Sequence, residues 1–100
     1  MSNSNIPDEV KHNVYFDGKV QSLGLETDKG PATVGVMKKG TYVFNTSSPE
    51  TMVVISGEMS TKVSGGEWTR HKQGESFDIA AHTSFDVLCD TEVAYICYYK

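Results

Sequence analysis

Three side chains in this 100-residue sequence combine reactive chemistry with suggestive neighbours: Glu50, His82 and Arg70. Glu50 opens the apolar run Glu-Thr-Met-Val-Val-Ile-Ser at 50–56. On a strand, Met52, Val54 and Ser56 would share its face, because alternate side chains point the same way. A carboxylate above such an apolar floor holds its proton more tightly unless a donor pairs with it, and once ionised it stabilises positive charge developing on a substrate. The alternative is an exposed residue of the Ser-Ser-Pro-Glu turn at 47–50 that accepts bonds from nearby amides. His82, in Ala-Ala-His-Thr, titrates near neutrality and suits proton transfer; equally, it is a turn histidine capping local carbonyls. Arg70 is the one arginine. Its guanidinium can grip a phosphate through two parallel bonds, although alternation with Trp68 also fits a solvent-facing strand residue. Tyr42, Thr46, Ser48 and Ser56 offer hydroxyls to a polar ligand, and each is also an ordinary strand or turn residue. The amides around Ser56–Gly57 or Ala81–His82 are further candidates for holding an oxyanion. Phe85 either stacks on a ligand ring or fills the core.

Regular punctuation supplies the elements that must position these groups. Gly18, Gly24, Asp-Lys-Gly-Pro at 28–31, Lys-Lys-Gly at 38–40, Ser-Ser-Pro at 47–49, Ser-Gly at 56–57, Ser-Gly-Gly at 64–66 and Gln-Gly at 73–74 all read as turns. Between them lie runs of four to eight residues rich in Val, Ile, Thr, Tyr and Phe, many with period-two alternation, such as Tyr42 and Phe44 against Thr41 and Val43. No stretch sustains a helical period. About nine or ten short strands at near-regular spacing predict a closed all-β sandwich or barrel whose mouth can hold a small ligand. Residues 1–11 are polar, contain Pro7, and are expected to form an N-terminal arm; residues 12–100 form the single domain.

The totals exclude several classes. A net charge of −4 with only nine Lys and Arg argues against a nucleic-acid surface, which needs a basic stripe. No run approaches the roughly 20 apolar residues of a membrane span. The opening Met-Ser-Asn-Ser-Asn-Ile-Pro lacks the basic head and apolar core of a signal peptide, so a cytoplasmic location is expected. Two cysteines, Cys89 and Cys97, fall in consecutive strand-like runs joined by a tight turn near Thr91. In a hairpin, Cys89 would face Glu92 or Val93 and Cys97 would face Ser84 or Phe85. Four residue pairs at about 3.4 Å each would then keep them apart, as buried free thiols.

Two segments resemble the motifs of the cupin fold. The run Gly-Thr-Tyr-Val-Phe-Asn-Thr-Ser-Ser-Pro-Glu-Thr-Met-Val-Val-Ile-Ser-Gly, 40–57, is similar to the first motif, with Glu50 placed six residues before Gly57. The run Gly-Glu-Ser-Phe-Asp-Ile-Ala-Ala-His-Thr-Ser-Phe, 74–85, is similar to the second, with Ala80–Ala81 where a Pro-x-Gly-type turn precedes the histidine. Together with Tyr-Phe-Asp-Gly-Lys-Val-Gln-Ser-Leu-Gly at 15–24 and Val-Gly-Val-Met at 34–37, they resemble the small single-domain cupins known as pyrimidine/purine nucleoside phosphorylases, across roughly residues 15–100.

The resemblance implies an all-β, single-domain cupin (double-stranded β-helix, or jelly-roll) barrel. It further implies phosphate-dependent cleavage of diverse purine and pyrimidine nucleosides, from uridine and cytidine to adenosine and guanosine, into free base and (deoxy)ribose 1-phosphate. Glu50 would then lie near the ribose and His82 near the phosphate or base, with Tyr42, Thr46, Ser48, Ser56, Arg70 and Phe85 as substrate contacts. A metal-dependent cupin uses two histidines, a glutamate and a third histidine. Here the corresponding positions hold Thr46, Ser48, Glu50 and Phe85, so no metal and no cofactor are expected, with phosphate as co-substrate. A homodimer is expected from the tyrosine-rich terminal strand and the arm. The rival reading is a non-catalytic cupin that binds a sugar or nucleotide-like metabolite.

Overall fold

The computed structural model describes residues 9–100, so most of the arm expected over 1–11 lies outside the described residues. Among the described residues, ten strands fold into two antiparallel sheets. One sheet runs, in spatial order, β1 (His12–Tyr15), β2 (Val20–Thr27), β3 (Gly30–Met37), β10 (Val93–Tyr99), β5 (Glu50–Ser56) and β8 (Ser76–Ile79). The other runs β4 (Gly40–Asn45), β9 (Ser84–Cys89), β6 (Met59–Val63) and β7 (Thr69–His71). Inward residues of both sheets form one cluster, with Val20, Met37, Val54, Met59, Val87 and Val93 at its dry centre. The strands alternate as half-buried antiparallel strands must: one face meets the core and the other meets water.

Two sequence expectations change. β2 runs straight through Gly24, where the sequence pattern predicts a turn. Gly24 pairs with Thr33 inside the strand, and a Cβ there would lie 3.4 Å from that of Lys11, so the glycine admits the chain entering β1 rather than turning it. β9 and β10 are not a hairpin: β9 pairs with β4 and β6, while β10 pairs with β3 and β5 in the opposite sheet. Cys89 and Cys97 are therefore carried by different sheets, and both are buried free thiols. The tyrosine-rich terminal strand is an interior strand of its sheet, with Tyr95 turned into the core. Trp68 is 48% exposed just before edge strand β7.

Candidate active site

β5 lies between β10 and β8, and its register decides what Glu50 faces. Glu50 pairs with Tyr99 and Ile79, Met52 with Cys97 and Phe77, and Val54 with Tyr95. Directly paired residues share a face of the sheet, so Glu50, Met52 and Val54 sit with Tyr95, Cys97 and Tyr99 on the inward side. Glu50 lines an interior cavity of about 200 Å³. Met37, Met52, Phe44 and Phe85 form its apolar walls; Tyr15, Ser22, Asn45, Tyr95, Cys97 and Tyr99 complete it.

Ser56 does not share that face. Ala94 pairs with Ser56 while Tyr95 pairs with Val54, which leaves Ile55 as the extra residue of a β-bulge. One inserted residue reverses the alternation, so Ser56 is exposed instead of inward. Gly57 follows in a left-handed conformation at φ 86°, and a Cβ there would lie 2.6 Å from the carbonyl oxygen of Glu92. Glycine is what lets the chain leave the bulge this close to the β9–β10 connection.

Inside the cavity the Cys97 thiol donates a hydrogen bond to Glu50 Oε1 at 3.4 Å. Burial raises the Glu50 carboxyl above its ordinary range, and the thiol bond partly offsets this. Burial likewise pushes the Cys97 thiol and the Tyr95 and Tyr99 phenols well above their usual values, with the nearby Glu50 charge adding to each. The Tyr99 hydroxyl shares a 2.9 Å hydrogen bond with the Thr33 hydroxyl, which fixes its ring at the cavity wall. Among the described residues, no Lys, Arg or His lines the cavity. Its chemistry is that of one carboxylate among weak neutral donors and aromatic faces.

The other sequence candidates fall elsewhere. His82 is exposed in the turn between β8 and β9, at a left-handed φ of 56°, and does not line the cavity that holds Glu50. Its backbone N–H donates to the Thr46 carbonyl at 3.0 Å, so that amide is engaged in the turn. The left-handed residue is His82 itself, so Ala81 meets no demand for the glycine that the motif would place there. Thr46 is buried beneath the turn. Its hydroxyl donates to the Ala80 carbonyl at 2.6 Å and accepts from the Thr83 N–H at 3.0 Å. Those bonds make it a structural clamp instead of an open ligand contact. Tyr42 is a core residue whose hydroxyl donates to the Lys38 carbonyl at 2.6 Å. Ser48, in the turn before β5, is partly buried but outside the cavity lining. Arg70 is exposed on β7, 3.7 Å from Glu58. Phe85 is 3% exposed and 5.8 Å from Phe44 between ring centres, so it is both core and cavity wall.

Tyr15, Asn45, Tyr95, Cys97 and Tyr99 were not among the sequence candidates. Period-two reading of Val-Ala-Tyr-Ile-Cys-Tyr-Tyr puts Tyr95, Cys97 and Tyr99 on one face, which was an available signal. That this face opposes Glu50 follows only from the β5–β10 register. Among the described residues, no three His, Cys, Asp or Glu side chains lie close enough together to hold a metal ion. The donors around Glu50 are a thiol and phenols, and they do not fit the histidine-rich set of a metal-binding cupin. No helix among the described residues is long and apolar enough to cross a membrane.

Comparison with known proteins identifies the family and the fold. The profile of the pyrimidine/purine nucleoside phosphorylase family matches residues 10–99. A pyrimidine/purine nucleoside phosphorylase of Aeromonas hydrophila is 46% identical over 89 residues, which is 88% of this chain and 95% of that one. A crystal structure of a Vibrio parahaemolyticus protein of unknown function superposes with a TM-score of 0.88 at 40% identity, covering 92% of this chain and 99% of that one. A putative ethanolamine utilization protein Q of Salmonella typhimurium, a cupin, superposes with a TM-score of 0.70 at 17% identity, covering 89% of this chain and 91% of that one. The last likeness establishes the cupin fold alone.

Proposed function

Because the chain belongs to the pyrimidine/purine nucleoside phosphorylase family and is by homology a nucleoside phosphorylase, we propose that the cavity around Glu50 is where the glycosidic bond is broken. The observation that supports this is an inward carboxylate among aromatic and apolar walls. In phosphorolysis a phosphate oxygen bonds to C1′ as the C1′–N bond breaks. The base leaves with the bonding pair and takes up a proton, and positive charge develops on the ribose ring on the way. Ionised Glu50 stabilises that charge and binds the ribose hydroxyls; partial exclusion of water strengthens the interaction.

The cavity, at about 200 Å³, is smaller than the usual small-molecule pocket of roughly 300 Å³ and above. It takes the ribose and the reacting bond. The base lies toward the partly exposed Tyr15, with Phe44 and Phe85 as aromatic walls of the same cavity. Ring faces stack on any base, which supports a range spanning purine and pyrimidine nucleosides. The phosphate is held by neutral donors, the phenols together with Asn45 and Ser22, without a metal. His82 has no part in this scheme. The site works in the cytoplasm, consistent with two buried free thiols.

The protein acts as a homodimer. Leu23, Val34, Ile96 and Val53 run side by side across the outer face of the six-stranded sheet, and Leu23 is 51% exposed. A second copy offers the same row in a two-fold arrangement, and light scattering after gel filtration measures the resulting mass. The activity is tested by incubating purified protein with uridine or adenosine, with and without phosphate, and assaying free base. Release that needs phosphate supports the reading, and saturable nucleoside binding without turnover overturns it.

A further inference from the structure

The proposed role of Glu50 depends on a particular charge state and a particular orientation, and one neighbouring group acts on both. Cys97 lies on β10, paired with Met52 on β5 and with Thr33 on β3. It is 3% exposed and lines the cavity. Its thiol donates a hydrogen bond to Glu50 Oε1 across 3.4 Å, within the usual reach of a sulfur donor. Burial on the interior strand makes ionisation of this thiol unfavourable, so at neutral pH it retains its proton and is a donor, not a nucleophile.

We propose that Cys97 is a positioning residue for Glu50: its S–H fixes the orientation of the carboxylate in the cavity and favours the charged form over the protonated one. The inference rests on the reading of Glu50 as the group that stabilises the ribose. The other titratable groups facing the carboxylate from the surrounding strands are the phenols of Tyr15 on β1 and of Tyr95 and Tyr99 on β10. Burial keeps the Tyr95 and Tyr99 phenols neutral under the same conditions, and among the described residues no cation lines the cavity to replace the thiol. A thiol is a weak donor. Its influence is felt because the carboxylate is partly removed from water, where each hydrogen bond to the charged form counts for more.

The test compares Cys97→Ala and Cys97→Ser, with folding checked by circular dichroism. The Ala variant removes the donor and the Ser variant keeps one. In Ala, the acid limb of the kcat/KM profile moves to higher pH, activity on that limb falls severalfold, and the Ser variant moves it back. Carbon-13 NMR of the Glu50 side-chain carboxyl shows the same displacement of its titration without any turnover. Should Ala fold poorly, Cys97→Val, which also lacks a donor but leaves a smaller void, takes its place and must show the displaced titration. In a Glu50→Gln background, removing the thiol changes kcat by less than twofold. Equal losses from Cys97→Ala in both backgrounds, with limb and titration unmoved, overturn the proposal. Full activity in Glu50→Gln alone instead overturns the reading of Glu50, while the carboxyl titration still reports whether the thiol acts on it.

Discussion

Gly35 on β3 faces Tyr95 on β10, and the phenol occupies the space a side chain at 35 would need. A Cβ on Gly35 would lie 2.5 Å from the Tyr95 hydroxyl oxygen, 2.6 Å from its Cζ and 2.8 Å from the carbonyl oxygen of Gln21. The ring is 7% exposed and forms part of the wall around Glu50. It cannot swing away without disturbing the core. Gly35→Ala is therefore expected to cost about 1–3 kcal/mol, the usual penalty for overpacking, and to reduce turnover by displacing Tyr95. Urea unfolding of the variant measures the first effect and steady-state kinetics the second. Wild-type stability in Gly35→Ala would mean that the ring has room to move.

Glu50→Gln is expected to lower kcat/KM at least tenfold, about 1.4 kcal/mol of transition-state stabilisation. It should also raise the melting temperature near neutral pH. The sign follows from linkage. Burial raises the folded-state pKa above the ordinary value of 4.5, so folding favours the neutral carboxyl. That stabilisation is fully present below the unfolded pKa and is lost as pH rises through the folded one. At neutrality the ionised carboxylate therefore opposes folding, and a neutral amide relieves it. Calorimetry and kinetics on one preparation check both halves, and a lower melting temperature would contradict the placement.

The same raised pKa places the acid limb of the wild-type kcat/KM profile above pH 4.5, because protonating Glu50 removes the charge the reaction uses. Profiles with purine and pyrimidine nucleosides should share this limb, since it belongs to the enzyme and not to the base. Limbs that differ between substrates would assign it to another group.

Thr46→Val should destabilise the protein by about 1–3 kcal/mol, because the Ala80 carbonyl and the Thr83 amide both lose a buried partner. Thr46→Ser, which keeps the hydroxyl, should recover most of the loss. KM should stay nearly constant in both when measured below the unfolding transition. A large KM change in a stable Thr46→Val protein would return this residue to substrate contact.

Away from the cavity, His71 is buried on β7, stacked on Phe77 with ring centres 3.8 Å apart, and 2.8 Å from the Thr61 hydroxyl. Burial lowers its pKa below the ordinary 6.5 despite the nearby Glu75. The unfolded chain thus takes up a proton that the folded state resists. The associated stability is present above about pH 6.5 and is lost as pH falls, with a slope of up to about 1.4 kcal/mol per pH unit for one proton. His71→Gln should remove that component between pH 6.5 and 5, as read from denaturation midpoints. An unchanged slope would mean that His71 protonates freely in the fold.

Local alternation made part of this site legible. It placed Glu50, Met52 and Val54 on one face, and the turn residues and strand runs indicated the all-β body. It failed at Ser56, because a bulge depends on how β5 pairs with β10 and leaves little trace in β5 itself. It missed Cys97 as a partner of Glu50 because the two are 47 positions apart and meet only through register. Thr46 and Tyr42 carry hydroxyls suited to a ligand, but those hydroxyls are taken up by backbone carbonyls that sequence spacing does not bring together. His82 illustrates the limit of a motif: the turn is present, yet its left-handed backbone leaves the imidazole in solvent.

The alternation of strands between the two sheets has a further consequence for biogenesis. The chain changes sheets six times, after β3, β4, β5, β7, β8 and β9. Neither layer can be completed by a contiguous stretch, because β10, at the very end, is inserted between β3 and β5. A nascent chain still missing its last ten residues has an open seam through its largest sheet and none of the wall formed by Tyr95, Cys97 and Tyr99. Completion of the larger sheet must wait for β10 and then proceeds through distant pairings, which places folding on the slow, millisecond-to-second side of small domains.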